Sequence, residues 1–457
     1  MFEQSFIDPN HIRERFSQAL SAMYRAEVPL YGSLIELVSE VNEEYLQAHS
    51  AKLHRSERDS DLTRLSQERH GAIRLGTAEE LHTMRRFFAV LGMQAVGYYD
   101  LSVAGLPVHS TAFRPVAARD LAANPFRVFT SLLRVELIPD LALQDQIKAL
   151  LSQRQIFKPQ LLALIELAEE QGGLNAEQAS RFVLSALDTF RWHSEAPVDA
   201  VTYQQLKHIH PLVADIVCFK GPHINHLTPR TLDIDAAQSA MLARGIEAKA
   251  IIEGPPPRQH PILLRQTSFK ALEETIQFQT ASGEWQAGTH TARFGEIEQR
   301  GIALTPRGRA LYDELLAQVL ERVPQPEANP EYYSYVLQQV FQAFPDDLTV
   351  LRREGLAYFD YHLQADHALE TLRLSVEELI QQGVIIPVPM IYEDFLPVSA
   401  AGIFRSNLAT DSNPAFNAQA NQQAFEQALG VGVLHEFEWY ARMEKQSLER
   451  CLAVLHG

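Results

Sequence analysis

Apolar residues recur at helical spacing over long stretches of this chain, and they predict most of its secondary structure. Two helices are expected in the first fifty residues, and Leu34, Leu37 and Val38 mark the second of them. The same periodicity predicts helices across 140–206 and 305–344. The latter block opens with Thr-Pro, a usual N-cap followed by a first-turn proline. Shorter apolar runs elsewhere indicate strands.

Two segments resemble each other in the order of their landmarks. One begins HGAIRLGTAEELHTMRRFF at His70, and the other begins HLTPRTLDIDAAQSAMLARG at His226. Each opens with His-x-x-x-Arg, continues into a capped helix, and ends that helix at a glycine, Gly92 or Gly245. Strand-like runs follow in both. We interpret the pair as a duplication in which each copy is a strand, a helix and several strands.

The duplication gives His70 and His226 equivalent positions, so the two imidazoles can converge where the copies meet. A late strand in the run TARFGEIEQRG offers a carboxylate to the same place. Strand alternation puts Phe294, Glu296 and Glu298 on one face, so periodicity leaves both carboxylates as candidates. Two histidines and one carboxylate on one face suit non-haem Fe(II), although the same ligands also bind Zn or Mn.

Most of the 17 histidines are expected to be structural, including His208 and His210. His223 stands three residues before His226, but the neighbouring prolines favour a strand or turn, in which the two side chains point to opposite faces. We therefore expect His223 to hydrogen-bond near the site rather than bind the metal. His290 is a weaker spare ligand.

The composition fits a globular protein of two or three structural units. The chain has 457 residues, of which 46% are hydrophobic and 21% charged. Its formal charge of -17 argues against nucleic-acid or anionic-membrane partners, which need a basic surface. Cys218 and Cys451 are too few for a disulfide framework or a thiolate zinc site. No signal-peptide pattern or membrane-length apolar run is visible, so a cytosolic location is expected.

Four strings carry a family resemblance: ERHGAIRLGT, KGPHINHLTPRTLDID, RFGEIEQRG and FLPVSAAGIFRSNL. With them the chain resembles the bacterial 2-oxoadipate dioxygenase/decarboxylase family, also called D-2-hydroxyglutarate synthase, over nearly its whole length. That family belongs to the vicinal oxygen chelate superfamily. The resemblance therefore implies an α+β fold in which paired βαβββ modules form a curved, metal-holding sheet, with large helical additions.

Five regions are expected along the chain on this basis. They are N-terminal helices at 1–65, a first βαβββ-like module at 66–138, a helical insertion at 139–210, a second module at 211–304, and helices and strands at 305–457 that complete the pocket. The sequence makes no prediction of the oligomeric state.

The resemblance also implies a ligand set. It places Fe(II) on His70, His226 and Glu296, because the string FGEIEQR is similar to a motif of 4-hydroxyphenylpyruvate dioxygenases in which the first glutamate binds iron. Glu298 is then expected to pair with a nearby arginine.

The substrate site is implied in the same way. Arg74 matches the arginine with which the family grips its substrate, and it is the predicted catalytic residue, since a planar guanidinium suits a distal carboxylate. Val398 matches a substrate-contacting position that acts through its backbone. His70 and His226 are assigned to the substrate site as well as to the metal.

The implied reaction consumes a small 2-oxo dicarboxylic acid, 2-oxoadipate, together with O₂. It yields D-2-hydroxyglutarate and CO₂ in lysine breakdown, with Fe(II) as the cofactor. One rival is a glyoxalase-like lyase or isomerase that uses Zn or Ni on the same fold and consumes no O₂. Another is a metal-free module that binds a dicarboxylate without turnover.

Overall fold

The computed structural model describes residues 5–49, 64–65, 67–280, 282–364, 374–396 and 414–456. Within these segments the α-helices, numbered α1 to α16 in chain order, are Pro9–Glu27, Pro29–Ala48, Ala78–Val90, Ala118–Ala123, Leu141–Ser152, Pro159–Gln171, Ala176–Phe190, Ala200–Ile209, Pro211–Val217, Ile234–Ala243, Pro306–Arg322, Pro330–Val340, Leu348–Arg353, Val376–Gln381, Pro414–Leu429 and Glu436–His456. The strands β1 to β12 are Arg69–Leu75, Gln94–Asp100, Val108–Arg114, Arg127–Leu133, Glu195–Ala196, Leu227–Pro229, Leu264–Ser268, Glu273–Gln279, Trp285–Thr291, Glu296–Arg300, Phe359–Leu363 and Ile385–Pro389.

Helices and several small sheets share the chain, so the fold is α+β, as predicted. The helical blocks expected from apolar periodicity are present as α1 and α2, as α5 to α8, and as α11 and α12. Across the described segments, no helix combines the length and the apolar character needed to span a bilayer.

A five-stranded sheet carries the segment that contains His70. Its order is β2-β3-β4-β1-β6, in which β1 pairs with β4 in parallel and with β6 in antiparallel fashion. The antiparallel pairing sets His70 opposite Thr228. The strand that contains His70 therefore lies beside the strand that directly follows His226.

The residues of β1 are divided between two faces of this sheet. Ile73 and Leu75 are fully buried in the core under the helices, and alternation sends His70 and Arg74 to the other face. Gly71 stands on the helix side, where an added Cβ would come within 2.6 Å of an isoleucine side chain. One face of β1 thus packs in the hydrophobic core, and the other face carries polar side chains that can take part in chemistry.

Each of the two similar segments places a capped helix soon after its first strand, as the sequence predicts. The Thr77 hydroxyl and the Asp233 carboxylate each accept a hydrogen bond from the backbone amide three residues further on, at the starts of α3 and α10. Gly92 and Gly245 follow these helices with φ values of 68° and 71°. A left-handed backbone at these positions explains why glycine ends both helices.

The helices that cover the sheet pack through an aromatic core. The ring of Phe87 on α3 lies 5.4 Å from that of Phe16 on α1 and 5.1 Å from that of Phe182 on α7, between centroids. Phe88 stacks on Phe113 of β3 at 4.6 Å. Burial of such rings contributes roughly 2–3 kcal/mol each, so this core fixes β1 and the side chains on its far face.

The described chain divides into two compact units. The first contains α1 to α10, α15, β1 to β6, β8 and β9, and the chain passes between the units within β7 and within β10. In the second unit β11 and β12 pair antiparallel, and the Tyr361 amide of β11 donates to the Ser447 hydroxyl of α16 at 3.0 Å. The five regions expected from the sequence stay a prediction.

Candidate metal centre

Three strands bring His70, His226 and Glu296 together in the first unit. His70 lies on β1, His226 directly precedes β6, and Glu296 begins β10. The pairing of β1 with β6, and a parallel bridge between Arg230 and Glu298, align these strands side by side. One ligand atom from each of the three residues lies within 4.8 Å of the others, and all three side chains are buried.

The His70–Glu296 separation equals that of adjacent metal ligands, and the His226–Glu296 separation is longer. His70 Nε2 lies 3.0 Å from Glu296 Oε1, and His226 Nε2 lies 3.9 Å from the same oxygen. The two imidazole rings stand at 89° with centroids 5.4 Å apart. Two ligand atoms at right angles on a metal, each bonded at about 2.1 Å, lie about 3 Å apart. The residues present therefore fit a metal ion held on one face.

The charges of the three groups also suit a divalent cation. Burial lowers the pKa of His226 to about 3, so its imidazole is neutral and retains a lone pair. Burial would raise the pKa of Glu296, but the imidazoles of His226 and His70 hold it below its usual value. Burial by itself would lower the pKa of His70, but the carboxylates of Glu298 and Glu296 outweigh it and raise that pKa. A bound cation would take the place of the proton on His70.

Glu298 contacts the ring nitrogen of His70 that lies opposite the one facing Glu296. Its Oε2 lies 2.8 Å from His70 Nδ1, which leaves His70 Nε2 directed at Glu296. A carboxylate on the far nitrogen of a ligand histidine is the usual arrangement in metal sites, where it fixes the tautomer. The structure places Glu298 against His70, because β10 sends both glutamates to the face that His70 shares. The arginine partner expected for Glu298 stays a prediction.

Two further contacts hold the other ligands. The Thr228 hydroxyl donates to Glu296 Oε1 at 3.2 Å, and the ring of Phe294 lies 4.7 Å from that of His226. Among the described residues no hydrogen-bond partner reaches the buried His226 Nδ1. Thr228 was not singled out from the sequence, although it stands two residues after His226 and so shares its strand face.

His223 and His290 lie in a different cluster, around Asp215. Their Nε2 atoms lie 3.1 Å and 3.0 Å from Asp215 Oδ1. The sequence kept His223 out of the ligand set and near the site, and His223 contacts Asp215 and Asn225. His290, the spare ligand, lies in this cluster and not beside Glu296. His290 belongs to β9, which pairs with β8 in a sheet separate from β10, and His223 turns away from His226 in the irregular stretch before β6.

Arg74 shares the face of β1 that carries His70, and its Nη1 lies 2.6 Å from Asp215 Oδ2. The sequence pattern did not point to Asp215, because this residue lies on the short apolar helix α9, 141 residues from its arginine partner. The other predicted substrate contact, Val398, lies outside the described residues. Of the two structural histidines, His208 is exposed and His210 caps α9 through Nδ1.

A family model described as 2-oxoadipate dioxygenase/decarboxylase matches residues 16–407. The chain belongs to this family. A member from Pseudomonas putida, curated under that same description, is 54% identical, with 99% of this chain and 98% of the relative covered. A member from Mycobacterium bovis is 42% identical, with 89% of each chain covered.

Solved structures agree with this membership of the 2-oxoadipate dioxygenase/decarboxylase family. The hydroxyglutarate synthase from Pseudomonas putida in complex with 2-oxoadipate matches with a TM-score of 0.89, 52% identity and 99% of both chains covered. A Shigella flexneri protein described as uncharacterized matches with a TM-score of 0.86 and 51% identity, with 97% of this chain and 100% of that chain covered. The chain is therefore an enzyme of this family.

Proposed function

We propose that this enzyme converts 2-oxoadipate and O₂ into D-2-hydroxyglutarate and CO₂, with Fe(II) held by His70, His226 and Glu296. The observation that carries the proposal is the buried set of two imidazoles and one carboxylate with ligand atoms within 4.8 Å of one another. The family membership supports the substrate, since a relative 52% identical to this chain was solved with 2-oxoadipate bound.

The ligand set explains why iron is the proposed metal. Three protein ligands on one face leave positions for a chelating 2-oxo acid and for O₂, and Fe(II) supplies the oxygen chemistry when it is bound. The protein contributes the neutral His226, the ionised Glu296 and the oriented His70. Burial of all three excludes bulk water from the place where oxygen reacts.

The proposed conversion balances as one 2-oxoadipate and one O₂ giving one hydroxyglutarate and one CO₂. The carboxyl group next to the keto carbon leaves as CO₂, and the keto carbon becomes a carboxylate. The adjacent methylene gains a hydroxyl group. Each of these two oxidations removes two electrons, and together they reduce one O₂ completely.

Arg74 is the proposed contact for the far carboxylate of the substrate. It stands four residues after His70 on one strand face, about 13 Å along the strand, so a six-carbon diacid can extend from the metal towards it. Asp215 engages Nη1, and no described residue accepts a hydrogen bond from the other guanidinium nitrogens. A guanidinium has five N–H donors, so Arg74 can bind a carboxylate while it stays paired. We also assign a backbone contact to Val398.

We also propose that the fold is of the vicinal oxygen chelate type. In the first segment β1 pairs in parallel with β4, and in the second Arg230, next to β6, pairs in parallel with Glu298 of β10. The first strands of the two segments meet antiparallel as β1 and β6. This arrangement supports paired βαβββ modules. The module boundaries and the cytosolic role in lysine breakdown rest on the family resemblance.

The test is an assay of enzyme loaded with Fe(II) under anaerobic conditions and then supplied with 2-oxoadipate and O₂. We expect O₂ uptake and hydroxyglutarate formation in equal amounts, and loss of both in His226→Ala. Turnover of a 2-oxo acid without O₂ uptake would favour a lyase. Dicarboxylate binding that survives chelation, with no turnover, would favour a binding module.

A further inference from the structure

Asp215 lies at the centre of a buried cluster outside the metal centre. Its Oδ1 lies 3.1 Å from His223 Nε2 and accepts from His290 Nε2 at 3.0 Å. Its Oδ2 accepts from Arg74 Nη1 at 2.6 Å and from Asn225 Nδ2 at 3.3 Å. A carboxylate offers about four lone-pair positions, so this one has room for all four of these neighbours.

His290 acts as a hydrogen-bond donor in this cluster. Since His290 gives Nε2–H to Asp215, its Nδ1 accepts the hydroxyl proton of Tyr203, whose oxygen lies 2.8 Å away. Burial lowers the pKa of His223, which favours its neutral imidazole. The charges of Asp215 and Arg74 then balance each other.

The hydrogen bonds in this cluster argue against a second metal site. Asp215, His223 and His290 have the residue types and the closeness of a ligand set. A metal, however, needs the lone pair that His290 Nε2 gives up when it donates a proton to the carboxylate. It would also stand beside the cation of Arg74, only 2.6 Å from the shared carboxylate. The cluster is therefore built to hold an arginine.

Aromatic rings fix the cluster in place. The ring of Trp192 meets that of His223 edge-on at 4.6 Å, and the ring of Phe219 lies 4.6 Å from that of His290. Asp215 itself is 5% exposed, on a helix whose neighbouring residues are buried apolar side chains. The carboxylate consequently has little freedom to move, and neither has the guanidinium nitrogen bound to it.

The cluster is also connected to both strands that carry histidine ligands. Asn225, which donates to Asp215, directly precedes His226, and its backbone amide donates to the Ala72 carbonyl at 3.0 Å. Ala72 stands on β1 midway between His70 and Arg74. The position of the guanidinium is thus coupled to the position of the metal ligands.

We propose that Asp215 is a positioning residue, which holds the guanidinium of Arg74 at a fixed distance from the metal ligands so that it selects 2-oxo acids with a second, distal carboxylate. This inference rests on the proposed function, in which Arg74 binds that carboxylate. Asp215 acts through Arg74 and contacts neither the substrate nor the metal.

The experiment compares Asp215→Asn with wild type on 2-oxoadipate and on 2-oxohexanoate, which has the same chain length and a methyl group in place of the distal carboxylate. Displacement of a binding group by about 1 Å costs roughly 100-fold. We expect kcat/KM for 2-oxoadipate to fall roughly 10- to 100-fold, mainly through KM, and kcat/KM for 2-oxohexanoate to stay within about twofold. Fe(II) affinity should not change.

Arg74→Ala, measured in parallel, separates this inference from the proposed function. If Arg74→Ala loses the preference for the diacid and Asp215→Asn keeps it, the positioning role is wrong and the proposed substrate contact stands. If neither variant loses the preference, both are wrong. Under our account the double variant loses no more than Arg74→Ala alone. Equal loss on both substrates in Asp215→Asn would show a merely structural role.

Two controls complete the design. Asp100→Asn removes a half-buried carboxylate that accepts from Asn421 at 2.7 Å and faces Arg134 at 3.7 Å, and it should leave the substrate preference unchanged. If Asp215→Asn does not fold, His290→Gln removes one donor to Asp215 and should cause a smaller loss of the same selectivity. No selective loss in that variant would contradict the proposal. Binding of a second equivalent of Fe(II) or Zn(II) that Asp215→Asn abolishes would also contradict it.

Discussion

Replacement of Glu298 by alanine tests whether this carboxylate fixes the orientation of the His70 ring. In the folded protein Glu298 Oε2 lies 2.8 Å from His70 Nδ1, and the two side chains are 0% and 1% exposed. The substitution removes the acceptor that keeps His70 Nε2 directed at Glu296. The metal must then bind a histidine that is free to rotate or to change tautomer.

The size of the effect follows from this buried contact. A hydrogen bond to a charged group contributes about 1.5–3 kcal/mol. Each 1.4 kcal/mol is tenfold in affinity, so the Kd for Fe(II) should rise roughly 10- to 150-fold. Glu298→Gln keeps an acceptor oxygen and loses only the charge, so a rise of about tenfold is expected.

Anaerobic titration with Fe(II) or Co(II) measures these dissociation constants directly. Glu80→Gln serves as a matched control, since Glu80 is also buried and pairs with Arg154 at 2.6 Å. It should leave metal affinity unchanged. Wild-type affinity in both Glu298 variants would refute the role of Glu298 in orienting His70.

Three other changes test separate parts of the structure. His226→Ala should abolish stoichiometric metal binding, as elemental analysis after desalting would show, and retention of one equivalent would remove His226 from the ligand set. Glu68→Gln should lower the free energy of unfolding by about 3–5 kcal/mol in a urea titration. The reason is that Glu68 pairs with the fully buried Arg127 at 2.9 Å and with Arg230 at 3.0 Å. A loss under about 1 kcal/mol would contradict this. Burial lowers the pKa of His109 to about 4, whereas the ordinary value in the unfolded chain is about 6.5. Between these pH values the unfolded chain takes up a proton that the folded protein does not. Up to about 3 kcal/mol of the free energy of unfolding is therefore lost as the pH falls from 6.5 towards 4. His109→Gln should remove that part of the pH dependence of unfolding, and an unchanged pH profile would show that His109 does not cause it.

The convergence of the two histidines could be predicted because it depends on local landmarks. His70 and His226 each open a segment with the same His-x-x-x-Arg start, and the helix caps and terminal glycines of both segments follow from residue types alone. Once the first strands of the segments pair, as β1 and β6 do, the two imidazoles must approach. The similarity of the two segments thus accounts for the closeness of the two imidazoles.

The roles of the two glutamates could not be separated by residue pattern. Glu296 and Glu298 lie on the same strand face, and both approach His70. Glu296 meets Nε2 of His70 and also lies near His226, whereas Glu298 meets Nδ1 of His70. These contacts depend on how separate strands pack together, and the alternation within one strand does not reveal them.

The Asp215 cluster escaped prediction for another reason. Asp215 lies among apolar residues on a helix of seven residues, and its partners Arg74 and His290 come from β1 and β9. Such contacts depend on how distant elements pack. A buried charge on an otherwise apolar helix is the one signal that could have drawn attention to it, because an ionised side chain in such a place needs partners.

Isotope labelling tests the central claim most directly. The Fe(II)-loaded enzyme is supplied with 2-oxoadipate under ¹⁸O₂, and the hydroxyglutarate is analysed by mass spectrometry. A dioxygenase that decarboxylates and then hydroxylates the same chain places both labelled atoms in the product, one in the new carboxylate and one in the hydroxyl group. Hydroxyglutarate with one labelled oxygen or none would contradict the account.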